Sequence, residues 1–459
     1  MPCVARAIDK VSRIERRSIR EGPRPRAAYE LAAAQVQTPL QVVSLFWRLA
    51  HERRKYFRRV LDLGAADGRF AQGGKYWSYE GIEIDPSRFP SIDLPKNANV
   101  SVGCAFTYEK SSFDACIGNP PYVRHHDIES PWKSRTAKSL GEALGVTFRL
   151  DANLYLYFLA LACIRSKPDG LVGLILPHEW VARPSAKPLR DAIIANRWNV
   201  DIYRFQEQIF ERVLTTASIT FVDKRKSDGM WRHFDVDGNY RIRAKRDGER
   251  PRRVALPYVN RSSVWARRGI SPGSQTVFVL TERERRRWKL KRTDVVPAIT
   301  SLRGFPNECA VLTRTAFASH FVQKGRRCWL IKSSSNSISS NLKAYTRRVP
   351  VSQRDTATCR EQSPWYAYEK ISPPALIFHS CFTRASPKVV VNRLKAIPVG
   401  TTYGVYSSKE LRRYALRGYL AKYPFRSKVV PHASKLRKVE VRQLNYVLGK
   451  WHRRRKTRG

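Results

Sequence analysis

Acidic residues are scarce in this sequence: 38 aspartates and glutamates stand against 86 lysines and arginines, a formal charge of +48 over 459 residues. Such an excess points to a polyanionic partner, because lysines and arginines that neutralise phosphates release condensed counterions. It carries no information about sequence preference. Long apolar runs are also missing. Nothing approaches the ~20 residues of a membrane helix, and the opening MPCVARAIDKVSRIERRSIR has no apolar signal-peptide core. The expectation is a cytoplasmic chain with no membrane partner. Eight cysteines, at 3, 104, 116, 163, 309, 328, 359 and 381, include no C-x-x-C pair, which argues against a zinc ribbon or a disulfide framework. No repeat of fixed period, no RNP-type aromatic pattern and no clustered acid-plus-lysine nuclease site is present.

What is there suffices for a core: 42% of residues are hydrophobic, and the length suits two or three domains. Residues 1–35 read as a basic N-terminal arm. From 36 to 225 strand-like and helix-like segments alternate: VLDLGAADG (60–68), YEGIEIDP (79–86), NVSVGC (99–104), FDACIGNPPY (113–122), the apolar helix ANLYLYFLALACIRS (152–166), LVGLILP (171–177), the helix RPSAKPLRDAIIANR and TTASITFVDK (215–224). Strands separated by helices imply a mainly parallel α/β sheet covered on both faces. The charged, turn-rich stretch 226–253 reads as a linker. Residues 254–459 form a basic module with short strand-like runs, QTVFVL, CWLIK, ALIFHS and KVVVN.

Three stretches carry chemistry. In DLGAADG, Asp62 ends a strand and Gly64 and Gly68 follow, letting the backbone approach a ligand at the carboxyl edge of the sheet. The turn lacks both the G-x-G-x-x-G spacing and the Lys-Ser/Thr of a P-loop, so a pyrophosphate is not the best guess. In GIEIDP, Glu83 lies about 20 residues on, where an acid accepts from ribose hydroxyls, and Asp85 shares its strand face if the strand continues. In GNPPYV, Pro120 and Pro121 each fix φ and restrict the residue before them. The Asn119 amide oxygen and the Pro120 carbonyl are thereby held as convergent acceptors beside the Tyr122 ring, an arrangement suited to a planar, amine-bearing group. His125, His126 and Asp127, and His178 with Glu179, read as phosphate-facing or pocket-wall residues, with no metal site expected.

DLGAADG, GIEIDP and GNPPY in this order resemble the adenine-specific, N6-methylating DNA methyltransferases of restriction-modification systems, in the gamma arrangement. The resemblance implies a Rossmann-like class I S-adenosylmethionine-dependent methyltransferase domain followed by a β-containing target recognition domain. AQVQTPLQVV is similar to the family's Thr-Pro segment and puts Thr38 and Pro39 against the cofactor methionine. S-adenosyl-L-methionine is then expected against Thr38, Pro39, Asp62, Gly64, Gly68, Glu83, Asp85, Cys104 and Asn119. An extruded adenine is expected on Tyr122 and on Phe210 of IFERVLTTASITF, with Asn119, Pro120, Pro121 and Tyr122 as the catalytic turn. RRGISPGSQTVFVL, SPWY and SPKVVVNRL resemble recognition-domain segments. The chain departs from the family at GCAFTYE, where Cys104 or Ala105 stands in place of an acid that contacts the cofactor adenine, and at Gly73 and Gly74, which fall inside the first helix. Double-stranded DNA is the partner implied, with a separate restriction endonuclease as an optional one and a monomer as the working state. Protein glutamine methylation, RNA methylation, and DNA binding on a decayed methyltransferase fold are the competing readings.

Overall fold

The computed structural model describes residues 37–88, 92–128, 130–210, 215–225, 228–244, 256–260, 263–333, 338–429, 431–433 and 436–456. The expected basic arm lies outside them. Two compact units are present, one comprising 1–255 with 430–435, the other 256–429 with 436–459.

The first unit is built on one nine-stranded sheet. Its elements in chain order are α1 (Leu40–Arg53), β1 (Phe57–Leu63), β2 (Tyr76–Glu83), β3 (Ala98–Val102), β4 (Phe113–Gly118), α2 (Ser130–Leu144), α3 (Leu154–Arg165), β5 (Ser166–Pro177), α4 (Lys187–Ala195), β6 (Asn199–Phe205), β7 (Ala217–Asp223), β8 (Trp231–Val236) and β9 (Ile242–Ala244). The strand order is β3-β2-β1-β4-β5-β7-β6-β8-β9. Strands β1 to β5 run parallel, and β7 is antiparallel to both of its neighbours, β5 and β6. The chain therefore reverses its direction of travel across the sheet between β1 and β4, and the ends of those strands frame a crevice.

Each face of the sheet has its own core, as strand alternation requires. Leu61, Leu63 and Cys116 pack on one face with α3, whose residues from Leu154 to Cys163 are all buried. That is why its sequence shows no polar stripe. Val60, Ala115 and Ile117 pack on the other face with Val42, Phe46, Trp47 and Leu49 of α1. The C-terminal end of α1 is fastened to the sheet by charge: Arg53 pairs with Asp201, and Arg54 donates to both oxygens of Asp223 at 2.7 and 3.1 Å. This bidentate geometry sets the direction in which the helix start, and Thr38 before it, meets the strand ends.

The structure corrects several sequence-based expectations. No α-helix follows β1; a single turn, Arg69–Ala71, replaces it. Gly73 has φ +85°, and a Cβ at Gly74 would lie 2.6 Å from the Trp47 ring, so the connection is shaped to let α1 close over this face. KPDG (167–170), read from the sequence as the stop between the apolar helix and LVGLILP, does not precede β5 but bulges within it, where the pairing shifts between Phe113 and Ala115 of β4. NVDIYRF, not singled out from the pattern, forms β6. The expected linker 226–253 contains β8 and β9, which extend the same sheet; Tyr203 and Phe234 stack at 4.5 Å across β6 and β8.

The second unit is β-containing, as expected. It holds a five-stranded sheet made of β10 (Val264–Arg268), β13 (Val311–Leu312), β15 (Leu376–His379), β17 (Val389–Asn392) and β19 (Thr402–Ser407). A four-stranded sheet is made of β11 (Val279–Leu280), β12 (Val295–Ile299), β14 (Trp329–Ile331) and β18 (Ile397–Pro398). QTVFVL is a helical turn leading into β11 rather than one strand. Its longer helices are α5 (Ser340–Arg348), α6 (Arg413–Lys422) and α7 (Val441–Lys456). Among the described residues no helix is long and apolar enough to cross a membrane, and the seven cysteines are all free.

Candidate active site

A cleft of about 860 Å³, partly open to solvent, lies at the carboxyl ends of β1 to β4. Thr38, Gly64, Glu83, Cys104, Asn119 and Pro121 line it among the expected site residues. Gln37, Asp67, Arg69, Arg88, Phe106, Leu154 and Phe158 line it as well, without having been singled out from the sequence.

Glu83 is the last residue of β2 and is buried. Its carboxylate accepts the Ala66 N–H and the Asp85 N–H, each at 2.9 Å. The first bond has a structural purpose. Ala66 holds φ at +48°, a region that costs a residue with a Cβ about 1 kcal/mol, and a charge-assisted hydrogen bond offsets that cost. Gly64, with φ +84°, and Ala65 both donate to the Ile82 carbonyl, which folds the turn back over the sheet edge. Glu83 is thus fixed by the backbone of the glycine turn it faces, and its remaining lone pairs are available at the cleft.

The two aspartates of DLGAADG have different fates. Asp62 lies within β1 and is fully buried beneath the sheet edge, so it does not line the cleft. Tyr79 donates to one of its oxygens at 2.5 Å, and the other has no hydrogen-bond partner among the described residues. Burial pushes its carboxyl up to about 7, with Glu83 and Asp67 adding to the rise. A Cβ at Gly118, whose φ is +138°, would approach Asp62 Oδ1 to 2.6 Å, so only glycine fits against this aspartate. Because the folded carboxyl binds its proton more tightly than the unfolded one, stability should fall as pH rises from about 4 to 7 and level off above. Asp62→Asn, which keeps an acceptor for Tyr79, is expected to remove that part of the decline. Parallel Tm profiles for wild type and variant across this range would refute the assignment.

Asp67 is the acid that turns toward the cleft. Burial works to raise its carboxyl, but hydrogen bonds and charge from Arg69 outweigh burial and hold it below the usual range. Arg69 Nε donates to Asp67 at 2.9 Å, Gln37 donates to the same carboxylate at 3.2 Å, and Arg69 Nη1 donates to the Thr38 carbonyl. Thr38 Oγ1 in turn accepts from Asn119 Nδ2 at 3.1 Å. One continuous set of bonds thus joins the glycine turn, the Thr-Pro segment and the GNPPY turn.

That set uses the donor end of the Asn119 amide and leaves the acceptor end. Asn119 Oδ1 is shielded from solvent and has no hydrogen-bond partner among the described residues. An unpartnered buried carbonyl costs about 1–3 kcal/mol, so its presence at a cleft points to a ligand donor. Tyr122 donates its hydroxyl to the Ile175 carbonyl at 3.2 Å and sits edge-to-face with Tyr155 and Phe210, with ring centres 6.2 and 6.3 Å apart. Phe210 itself is buried. The loop beyond is tied to the start of α3: Leu154 N–H donates to the Val123 carbonyl, and His125 N–H to Asn153 Oδ1.

Other expected residues are placed elsewhere. The Pro39 carbonyl accepts from Val42 and Val43 and starts α1. Gly68 provides a left-handed turn packed against Leu94 and Val100. Asp85 falls beyond the end of β2, so it shares no strand face with Glu83, and it pairs with Arg88 at 3.7 Å. Cys104 follows β3 and lies on the cleft wall, and Gly103 N–H donates to the Glu83 carbonyl. The residues missed by sequence reasoning had readable traces. Asp67 and Arg69 belong to the glycine turn itself, and Leu154 and Phe158 are one helical turn apart on α3.

Comparison with known proteins adds to this geometry. Residues 73–210 match the Eco57I restriction-modification methylase family, and residues 237–420 match the C-terminal domain of Type II methyltransferase M.Eco57I. Type II methyltransferase M.AccI of Acinetobacter calcoaceticus is 21% identical over 82% of this chain and 76% of its own length. Type II methyltransferase M.XamI of Xanthomonas campestris pv. amaranthicola is 26% identical over 41% of this chain and 38% of its own. The Type IIL restriction-modification enzyme MmeI, solved in complex with DNA, shares the fold with a TM-score of 0.54 at 11% identity, covering 83% of this chain and 60% of that one. The chain thus spans less than two thirds of two of these three relatives. With the methylase match first and the C-terminal-domain match second, the order of the gamma arrangement, the chain carries in sequence the two segments of an Eco57I-type restriction-modification methylase.

Proposed function

We propose that the protein transfers a methyl group from S-adenosyl-L-methionine to the N6 amine of adenine in double-stranded DNA, as the modification component of a restriction-modification system. The observation that carries this reading is the Asn119 amide, whose nitrogen is engaged by Thr38 and whose buried oxygen is left at the cleft without a partner. The matches to a restriction-modification methylase family and to the C-terminal domain of a Type II methyltransferase support DNA as the substrate. They favour DNA over a protein glutamine, which would also present an amide N–H to such an acceptor.

The cleft residues suit the cofactor. Glu83 faces the position of a ribose, Phe106, Leu154 and Phe158 give apolar walls for a planar ring, and Asp67 with Arg69 offers opposite charges for an amino-acid end. S-adenosylmethionine, when bound, supplies a methyl on a sulfonium centre that a neutral amine nitrogen can attack directly. In this chain Asn119 Oδ1 and the Pro120 carbonyl accept from the target amine. Tyr122 and Phe210 supply aromatic surface for the base, and the two prolines hold the acceptors in place. These acceptors bind the amine more strongly as it gains positive charge, which lowers the barrier without a covalent enzyme intermediate; as the methyl–sulfur bond breaks the sulfonium would become a thioether, and the methylated amine would give up its surplus proton to solvent.

The test is to incubate the protein with methyl-labelled cofactor and duplex DNA and to sequence the product with modification-sensitive reads. Methyladenine at one motif is the expected result; folded, cofactor-bound protein that leaves DNA unlabelled would overturn the reading. Cys104 gives a second check. Cys104→Asp restores the acid that the family resemblance implies for the cofactor adenine, and a hydrogen bond to a charged group is worth about 1.5–3 kcal/mol. Cofactor affinity by calorimetry should therefore rise about tenfold, and an unchanged or weaker Kd would place the adenine elsewhere.

A further inference from the structure

The second unit has an open groove of about 1850 Å³ between the end of β19, the turn after β17 and the start of α6. Arg393, Lys395, Lys409, Arg412 and Arg413 all line it, against one carboxylate, Glu410. All five cations are exposed, and among the described residues none of their side chains makes an ion pair or a hydrogen bond. This contrasts with the arginines around Glu282 and Glu284 in the same unit, which are spent on ion pairs. The floor is rigid: Pro374 and Val391 are buried, and the Tyr406 ring stacks on Trp265 at 6.0 Å and 19°. The Tyr406 hydroxyl is shielded from solvent and has no hydrogen-bond partner among the described residues.

Five like charges gathered in one concavity repel each other, and the low-dielectric floor focuses their field into the groove. The ten residues of α6 start at this groove with Arg413, so the positive end of its dipole adds to the field. Glu410 offsets one of the five charges and leaves the groove strongly positive, so its complement is a chain of closely spaced negative charges. We infer that this groove binds the phosphodiester backbone of DNA, and that Lys409, Arg412 and Arg413 contact successive phosphates. The inference rests on the proposed action on DNA but concerns a surface separate from the methyl-transfer cleft.

The test uses the full chain carrying Lys409→Glu, Arg412→Glu and Arg413→Glu together. Acidic residues at a helix start favour the helix, so the fold should be retained. Binding of a random-sequence DNA duplex, measured without cofactor across a salt series, should weaken about 10–100-fold, and the log–log salt slope should become shallower by about 3. A control with Lys324→Glu, Lys343→Glu and Arg347→Glu makes the same change in net charge on exposed positions of the same unit outside the groove. The inference predicts a much smaller loss for the control. Equal losses in both proteins would reduce the groove to general surface charge, and an unaltered slope in the first would remove the phosphate contacts; either outcome overturns it. Because the readout is duplex binding, a protein that methylates nothing still reports on the groove.

Discussion

Asn119→Ala is expected to lower kcat for methyl transfer about 10²–10³-fold, the usual effect of deleting one group aimed at developing charge. Cofactor affinity should change little, because the Asn119 oxygen is assigned to the substrate amine. Thr38 would lose the donor to its hydroxyl and retain its carbonyl bond to Arg69, so the Thr-Pro segment stays in place. Asn119→Asp separates the roles of the two amide atoms. It preserves an acceptor, and the Thr38 hydroxyl can rotate to donate to the other oxygen, so part of the activity should survive where alanine leaves almost none. Single-turnover rates under saturating cofactor and DNA are the appropriate measurement. Full activity in Asn119→Ala would dismiss the amide as the acceptor for the amine.

Glu83→Ala should weaken cofactor binding about 10–100-fold, as expected for losing hydrogen bonds to a charged acceptor. It should also destabilise the protein by about 1–3 kcal/mol, because the Ala66 and Asp85 N–H groups lose their partner. The stability loss by itself would be a trivial cause of weak binding. Glu83→Gln helps to separate the two, since its one oxygen can still accept the Ala66 N–H, at the cost of turning an NH2 toward the Asp85 N–H, while the charge facing the ligand is gone. Calorimetry on Gln should show reduced cofactor affinity with a smaller loss of Tm than in Glu83→Ala. If the Gln variant bound cofactor as wild type does, Glu83 would be a brace for the strained Ala66 turn and nothing more.

Several features were legible from the chain alone. Proline and glycine punctuation located β1 to β4 and the GNPPY turn, because those residues restrict the backbone whatever surrounds them. The continuous apolar run of α3 foretold a helix buried on all sides. Other features were hidden for reasons that particular residues make plain. NVDIYRF carries charge in a strand whose Asp201 is neutralised by Arg53 of a helix nearly 150 residues earlier, so its polarity misrepresents its burial. The first crossover reads as helical in sequence but is a single turn, with Gly74 against the Trp47 ring. The stretch read as a linker became sheet because Phe234 found Tyr203 to stack on.

The class of fold, the order of its two parts and the rigid Asn-Pro-Pro-Tyr turn are readable from the chain, since each rests on local backbone chemistry and strand or helix periodicity. Tertiary packing selects which acid meets the cleft. Asp62 and Asp67 are five positions apart in one motif, yet β1 runs on to Leu63 and seals the first beneath the sheet edge, while the turn after it sets the second on the cleft wall, paired with Arg69. It also decided that the Asn119 nitrogen is used and its oxygen left over, because the partner, Thr38, lies 81 residues away. Contacts between residues so far apart arise from packing of the whole sheet and its helices, which no local pattern encodes.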